Sequence, residues 1–203
     1  CLVRKLNVKF LSIGDDFKFG AKRQGNFALL QQAGEKFGFI VEDNRSFCLD
    51  ELRISSTAIR EALANDDLTL AEKLLGRPYR ILGRVIHGNE LGRTIGFPTA
   101  NIRLHRQVNP VKGVYAVKVR LKSGAFFNGV ANIGTRPTIN GVNQLLEAHL
   151  FDFQGDLYGQ WLDIELCHKI RNEMKFPSFD DLKAQIAQDV ETAKNVFKTD
   201  RTL

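Results

Sequence analysis

The chain has 203 residues, 43% hydrophobic and 26% charged, enough apolar surface for one large or two small folded domains. This composition excludes an intrinsically disordered chain, and no apolar run approaches the ~20 residues of a membrane span. The net charge of +6 is concentrated in residues 77–136, which hold 11 basic residues and a single acidic one, Glu90. Such a concentration of positive charge indicates an anionic ligand, with the phosphates of a nucleotide and those of nucleic acid as the two candidates.

The three cysteines, Cys1, Cys48 and Cys167, have neither the spacing of a zinc site nor the even count of a disulfide framework. They indicate a reducing compartment, so we expect a soluble, cytoplasmic protein. No signal-peptide pattern opens the chain, which begins with Cys rather than Met. We therefore expect this chain to begin part-way through a longer protein.

The first 76 residues alternate between strand and helix patterns. Residues 8–13 predict a buried strand, residues 26–34 a helix that ends at Gly34, and residues 37–41 a second strand. Helices follow over 57–64, capped by Ser55 or Ser56, and over 66–75. This order predicts an α/β part with parallel strand pairing and a domain boundary near Gly76.

After Gly76 the pattern changes to short β-strands. Residues 117–121 and 162–166 alternate strictly, and further strands are predicted at 79–86, 129–133 and 145–153. Their spacing indicates either a small closed barrel or a sandwich. A last helix is predicted to begin at Ser178, with two acidic residues in its first turn and apolar residues at helical spacing up to Phe197.

A glycine-rich segment over 83–101 is the first candidate for chemistry. Four glycines fall within fourteen residues, beside Arg84 and Arg93. Backbone N–H groups at glycines approach an anion closely while arginines neutralise it, which suits a phosphate. Neither the P-loop ending nor the Rossmann spacing is present. The alternative is a β-hairpin with tight turns.

Thr99 and Asn101 close this segment in the sequence GFPTAN. Two residues apart in an extended chain, they present a hydroxyl and an amide oxygen on the same side. Neutral oxygens of this kind suit Mg²⁺ that is held mainly by nucleotide phosphates. The alternative is that each side chain closes its own turn.

Glu147 lies in an otherwise apolar strand pattern and faces the same side as His149. A carboxylate there must be solvated by a cleft, paired with a cation such as Arg136, or neutralised. In a cleft it can orient a substrate hydroxyl and accept its proton during phosphoryl transfer. Glu147 is therefore the candidate base, with the structural pair as the alternative, and His149 is a packed or supporting residue.

Two smaller signals lie in the first part of the chain. The loop GDDFKFG over 14–20 follows a predicted strand, where α/β folds bind ligands, although an ordinary turn explains it too. The segment RISST over 53–57 places hydroxyls and N–H groups at a helix N-terminus beside a cation. It is either an anion site or a simple N-cap.

Five motifs in order resemble the bacterial bifunctional riboflavin kinase/FAD synthetase family. They are GDDFKFG at 14–20, RISST at 53–57, GFPTAN at 96–101, IGTRPT at 133–138 and LEAHL at 146–150. The resemblance implies an α/β remnant over 1–76, the C-terminal part of an FMN adenylyltransferase (nucleotidyltransferase) domain. It implies a riboflavin kinase domain over 77–203, a six-stranded antiparallel Greek-key β-barrel with a C-terminal helix.

The resemblance also implies residue roles. Glu147 is the expected catalytic base, and Thr99 and Asn101 are the expected ligands of Mg²⁺ bound with ATP. The other implied contacts are, for ATP, Gly88, Arg93, Leu150, Asp152 and Tyr158; for the flavin, Arg171 and Phe176; and for the adenylyltransferase remnant, Asp16, Phe17, Arg53, Ser56 and Thr57.

By this resemblance the chain phosphorylates riboflavin to FMN with ATP, and the full-length protein also adenylylates FMN to FAD. The family's His-x-Gly-His motif does not occur in these residues, so we expect FAD synthesis to be lost in this chain. The alternative is a basic barrel that binds nucleic acid. Residues 77–113 contain only Tyr79 and Phe97 as aromatic residues, too few for a base-stacking surface. We therefore expect neither a nucleic-acid nor a membrane partner.

Overall fold

The computed structural model describes residues 3, 5–14, 16–44, 48–49, 52–88, 96–104, 109–138 and 141–199, without the side chains of 136–138 and 141–143. Arg93 and the centre of the glycine-rich segment lie outside these residues. The chain divides into two compact units, Cys1–Ser55 and Ser56–Leu203. No helix in the described ranges is long and apolar enough to cross a membrane.

The first unit is a small α/β arrangement. Strand β1 (Phe10–Gly14) pairs in parallel with β2 (Ile40–Asn44), and helix α1 (Phe27–Phe37) connects them. The side chain of Asn26 caps this helix by accepting a hydrogen bond of 3.0 Å from the backbone N–H of Leu29. Short strands β3 (Cys48–Leu49) and β4 (Leu52–Arg53) form a separate antiparallel pair. The predicted parallel pairing is confirmed.

Helix α1 runs past Gly34, where the sequence predicts its end. It ends at Phe37, and Gly38 is the left-handed C-cap with a φ of 74°. A Cβ atom on Gly34 would meet the backbone of Phe39 and the side chain of Val41. Gly34 therefore permits close packing of the helix on the following strand, and β2 begins three residues later than predicted.

In the residues that the structure describes, the second unit comprises a closed barrel and three helices. Its elements are α2 (Ser56–Ala64), α3 (Leu68–Leu75), β5 (Arg80–Ile86), β6 (Ala100–Leu104), β7 (Gly113–Leu121), β8 (Phe126–Thr138), β9 (Gly141–Leu150), β10 (Trp161–Arg171) and α4 (Phe179–Thr199). The strand order around the barrel is β10-β5-β6-β9-β8-β7, with every neighbouring pair antiparallel. Strands β7 to β9 are consecutive neighbours and β10 returns beside β7, which is a Greek key. The predicted barrel is confirmed, whereas strand β6 was not among the predicted strands.

The barrel interior and helices α2 and α3 share one apolar core. Leu63 and Ala71 of the two helices are buried in the same cluster as the interior residue Tyr115. The Tyr115 hydroxyl donates to Oδ1 of Asp66 over 3.0 Å, and Nζ of Lys169 lies 2.6 Å from the other carboxylate oxygen. The compact unit therefore begins at Ser56, and the domain boundary near Gly76 stays a prediction.

Helix α4 covers the outer face of the barrel on β7, β8 and β10. Val190, Ala193 and Phe197 form a second buried cluster with Val114 and Ala116 of β7. The helix begins one residue after Ser178, whose hydroxyl accepts a hydrogen bond of 3.1 Å from the backbone N–H three residues on. The space between α4 and the barrel holds the site described next.

Candidate active site

One row of side chains runs around the outer face of the barrel, with one residue from each strand. Its members, in barrel order from β5 to β10, are Ile86, Asn101, Glu147, Asn132, Val114 and Arg171. Residues directly opposite each other on antiparallel strands share a face of the sheet. The fold therefore brings the predicted base, a predicted metal ligand and a predicted flavin contact into one ring.

A cavity of about 270 Å³ lies between this row and helix α4. Glu147, His149 and Asn132 line its barrel side, so the prediction that Glu147 and His149 face the same side is confirmed. The opposite side is formed by the chain between β10 and α4 and by α4 itself, with mostly apolar side chains that include Met174 and Phe176. An apolar cavity with a few polar groups suits an organic ring system.

A second, smaller cavity of about 80 Å³ lies beside the first. Leu150, Tyr158 and Val85 form its apolar walls. Thr99 lines this cavity and the larger one as well. The two cavities therefore flank a single hydroxyl-bearing side chain, as expected where a ligand on one side reacts with a ligand on the other.

Asn101 carries an unpartnered polar atom beside Thr99. The residue is 5% exposed, and its Nδ2 donates to the backbone oxygen of Thr99 over 3.3 Å. Its Oδ1 has no hydrogen-bond partner among the described residues. Gly88 packs against this amide so closely that a Cβ there would overlap it. A buried acceptor without a partner costs free energy, which a bound cation or donor would recover.

His149 fixes the backbone next to Thr99. Its Nδ1 lies 2.9 Å from the carbonyl oxygen of Pro98. Because a carbonyl oxygen only accepts hydrogen bonds, Nδ1 carries the proton. The ring also packs edge-on against Phe97, with 5.5 Å between centroids. The alternative pair of Glu147 with Arg136 stays a prediction, because the side chain of Arg136 lies outside what the structure describes.

The residues implied for ATP separate into two groups. Leu150 and Tyr158 line the smaller cavity, and the ring of His87 stacks on Tyr158 with 3.9 Å between centroids. Asp152 does not join them. Strand β9 ends at Leu150, and a left-handed backbone at Asp152, with a φ of 56°, turns its side chain to a different groove beside Lys194.

The described glycines and arginines of the glycine-rich segment have different structural roles. Gly83 lies inside β5, where a Cβ would overlap the side chain of Ile102, so it serves barrel packing. Arg84 donates from Nε to the backbone oxygen of Gly159 over 2.9 Å. Of the described glycines in the segment, Gly88 is the one that lies against a candidate site residue. Arg93 lies outside the described residues.

The residues implied for the flavin lie together, and they bring in a residue that was not predicted from the sequence. Arg171 and Phe176 both line the larger cavity, and the guanidinium carbon lies 5.7 Å from the ring centroid. Asp189 of α4 accepts hydrogen bonds from Arg171 and is 3% exposed. Its signal in the sequence was a carboxylate placed three residues after Ile186, within the apolar stripe of the last helix.

The residues implied for the adenylyltransferase remnant fall in both units. In the first, Nη2 of Arg53 lies 3.2 Å from the carboxylate of Asp16, and Phe17 stacks on Phe19 with 5.8 Å between ring centroids. In the second, Ser56 and Thr57 form the first turn of α2, where Ser56 accepts a hydrogen bond of 3.3 Å from the Arg60 side chain. Their roles in binding ATP phosphates stay predictions.

Comparisons with known proteins match this arrangement. A riboflavin kinase family model matches residues 75–197, and an FAD synthetase family model matches residues 1–58. The bifunctional riboflavin kinase/FMN adenylyltransferase of Haemophilus influenzae is 79% identical over 198 residues, 98% of this chain and 64% of that protein. The Escherichia coli K12 protein of the same name is 59% identical over 196 residues, 97% of this chain and 63% of that protein.

A solved structure described as a macrolide-efflux protein from Streptococcus pneumoniae has a TM-score of 0.71 and 34% identity, covering 95% of this chain and 62% of that chain. In the comparison with the Haemophilus influenzae protein, the present chain spans about 64% of the length of its curated relative. The kinase match spans the whole barrel and nearly all of α4, so the barrel with its two cavities is a flavokinase domain. The chain belongs to the riboflavin kinase family, and the resemblance predicted from the motifs is confirmed.

Proposed function

We propose that this chain transfers the γ-phosphoryl group of ATP to the 5′-hydroxyl of riboflavin, giving FMN and ADP. The observation that carries the proposal is that Thr99 lines two adjoining cavities, the larger of which contains Glu147. A nucleotide on one side of Thr99 and an alcohol on the other would meet at this side chain. The names of the curated relatives support riboflavin as the alcohol.

The side chains that line the cavities support this division of substrates. The smaller cavity offers the apolar side chains of Val85, Leu150 and Tyr158 to a purine base. The larger offers Phe97 and Phe176 to a planar ring, with polar groups along the barrel row. Polar positions in an otherwise apolar cavity fix the orientation of the ligand. The ribityl chain would then run along the row toward Glu147.

Thr99 and Asn101 are the residues that would hold Mg²⁺ bound with ATP. The unpartnered Oδ1 of Asn101 fits this assignment, because a neutral oxygen is a suitable ligand where phosphates supply the negative charge. No cluster of three or more His, Cys, Asp or Glu side chains suited to a metal occurs in the described part of the chain. When bound, Mg²⁺ would neutralise charge on the transferring phosphate.

Glu147 would orient the 5′-hydroxyl and accept its proton. As the hydroxyl oxygen bonds to the γ-phosphorus, the bond from that phosphorus to the bridging oxygen breaks, ADP leaves and the proton passes to the carboxylate. Little covalent work is required of the protein in such a transfer, so positioning of the two substrates supplies most of the acceleration. The fixed strand register of Glu147 between Asn101 and Asn132 provides that positioning.

The test is the substitution Glu147→Gln, which keeps the shape of the side chain and removes its basicity. We expect kcat for FMN formation to fall by about 10²–10⁴-fold, while quenching of riboflavin fluorescence shows that the flavin still binds. The matched control is Glu165→Gln, a carboxylate that pairs with Arg80 on the outer face of β10 and lines neither cavity. Unchanged turnover in Glu147→Gln would refute the assignment of the base. Absence of FMN formation by the unaltered chain would refute the function.

We further propose that the whole protein, like its curated relatives, adenylylates FMN to FAD, and that ATP, riboflavin and FMN are its ligands. The match of residues 1–58 to FAD synthetase supports the second activity. The assay should therefore separate FMN from FAD by chromatography. The family match gives no support to the nucleic-acid alternative, and a cytoplasmic location stays a prediction.

A further inference from the structure

Asp189 and Arg171 form an ion pair beneath the wall of the larger cavity. Nε of Arg171 lies 2.9 and 3.1 Å from the two carboxylate oxygens of Asp189, and Nη2 lies 2.7 Å from Oδ2. Gln185, one turn earlier on α4, donates to Oδ1 of Asp189 over 3.0 Å. Both carboxylate oxygens are therefore hydrogen-bonded, and the guanidinium is held by two of its three nitrogens.

The pair is withdrawn from water, so its geometry is fixed. The side chain of Asp189 is 5% exposed and that of Arg171 is 18% exposed. The remaining guanidinium nitrogen, Nη1, donates to the backbone oxygen of Asn172 over 2.9 Å. With all three nitrogens engaged, the guanidinium plane has a single orientation. Removing the carboxylate would leave a cation poorly solvated in this place.

This orientation determines what the cavity presents to a ligand. The guanidinium lies against the ring of Phe176, and both groups line the larger cavity on the side facing α4. Arg171 is also the last member of the barrel row that includes Glu147 and Asn132. Asp189 thus holds a charged and aromatic wall at a fixed distance along the barrel surface from the candidate base.

We propose that Asp189 is a positioning residue for the flavin: it holds Arg171, and through it Phe176, in the conformation that binds the ring of riboflavin. The inference rests on the proposed function, because it concerns how that same cavity recognises its alcohol substrate. Asp189 does not touch the reacting atoms in this scheme. Its contribution is therefore to flavin affinity, and neither ATP binding nor the rate at saturation depends on it.

The first test is Asp189→Asn, which keeps the shape of the carboxylate and removes its charge. We expect KM and the dissociation constant for riboflavin to rise by about tenfold or more, while KM for ATP and kcat at saturating riboflavin change by less than about threefold. Arg171→Lys keeps the positive charge opposite Asp189 but lacks the planar guanidinium. It should therefore also weaken riboflavin binding while leaving KM for ATP and kcat nearly unchanged. The matched control is Glu191→Gln on the same helix, which breaks an exposed ion pair with Lys194 outside the cavity.

The double variant Asp189→Asn/Arg171→Lys distinguishes positioning from mere packing. If Asp189 acts through Arg171, the double variant binds riboflavin no more weakly than the worse single variant. Should Asp189→Asn fail to fold, as judged by thermal unfolding, Arg171→Lys still tests the pair. Riboflavin affinity unchanged in the folded variants, or an equal loss for riboflavin and ATP, would overturn the inference. Failure of the unaltered chain to phosphorylate riboflavin would instead overturn the proposed function.

Discussion

The Nδ1 atom of His149 donates its proton to the carbonyl oxygen of Pro98 across 2.9 Å, and so ties strand β9 to the residue before Thr99. Both Thr99 and His149 line the larger cavity, and Thr99 lines the smaller one too. One hydrogen bond thus fixes the backbone next to the residue whose side chain the two cavities share. The strand pattern predicts His149 only as a packed or supporting residue, and this contact gives that support a definite form.

Replacing His149 by Phe should weaken the use of both substrates. The aromatic ring can still pack against Phe97, but the donor to Pro98 is lost, and loss of a hydrogen bond of about 1 kcal/mol corresponds to roughly fivefold in an equilibrium constant. We expect KM for ATP and KM for riboflavin to rise by about that factor in steady-state assays. His149→Asn, whose amide also donates, should recover part of the loss. The control is His168→Asn, an exposed position on β10, and equal KM values in wild type and His149→Phe would contradict the role.

Asn101 should be dispensable for folding but required for activity. Substitution by Ala removes a buried oxygen that has no partner in the described structure, so we expect the melting temperature to stay the same or rise. Removal of a proposed metal ligand should at the same time raise the Mg²⁺ concentration needed for half-maximal activity, by about tenfold or more. Thermal unfolding without substrates and a Mg²⁺ titration of FMN formation measure the two effects.

Asn109 provides a matched control for that substitution. It is also buried, with no hydrogen-bond partner for its side-chain atoms among the described residues, but it lines neither cavity. Asn109→Ala should therefore leave the Mg²⁺ dependence unchanged. A Mg²⁺ dependence in Asn101→Ala equal to that of wild type would remove Asn101 from the metal site.

The sequence predicts those features of the site that depend on local geometry and misses those that depend on contacts between distant elements. The alternation around Glu147 is local, because strand geometry alone puts Glu147 and His149 on one face, and the structure confirms it. Asp189 was missed because its partner Arg171 lies 18 residues away on another element, and only the packing of α4 on the barrel brings them together. A partnership of that kind has no periodic pattern in the sequence.

The differences at glycines and turns have the same origin. A glycine after a helical pattern usually marks the end of the helix, as predicted at Gly34. Here the helix continues, because its close approach to the backbone of Phe39 leaves no room for a side chain at this position. Asp152 follows the strand that carries Leu150, and a left-handed turn sends it to another groove. At Gly34 the residue type is decided by a tertiary contact rather than by local helix preference.

Tyr115 makes the barrel unit lose stability as the pH rises into the alkaline range. Burial, together with the hydrogen bond to the Asp66 carboxylate, raises the pKa of this phenol above its ordinary value of 10.0. Above about pH 10 the unfolded chain releases this proton while the folded chain keeps it, so the unfolded state binds fewer protons. The resulting stabilisation is complete below the ordinary pKa and is lost progressively as pH rises above it.

The variant Tyr115→Phe should abolish this contribution. We expect the free energy of unfolding, measured by urea denaturation, to fall more steeply between about pH 9 and about pH 11 in wild type than in Tyr115→Phe, by up to about 1.4 kcal/mol per pH unit. At about pH 8 the variant should be less stable by about 1 kcal/mol, because it loses a buried hydrogen bond. Tyr79→Phe, at the edge of the same core, serves as the control for removal of a phenol. Identical pH slopes in wild type and Tyr115→Phe would show that the Asp66 contact does not couple folding to ionisation of this residue.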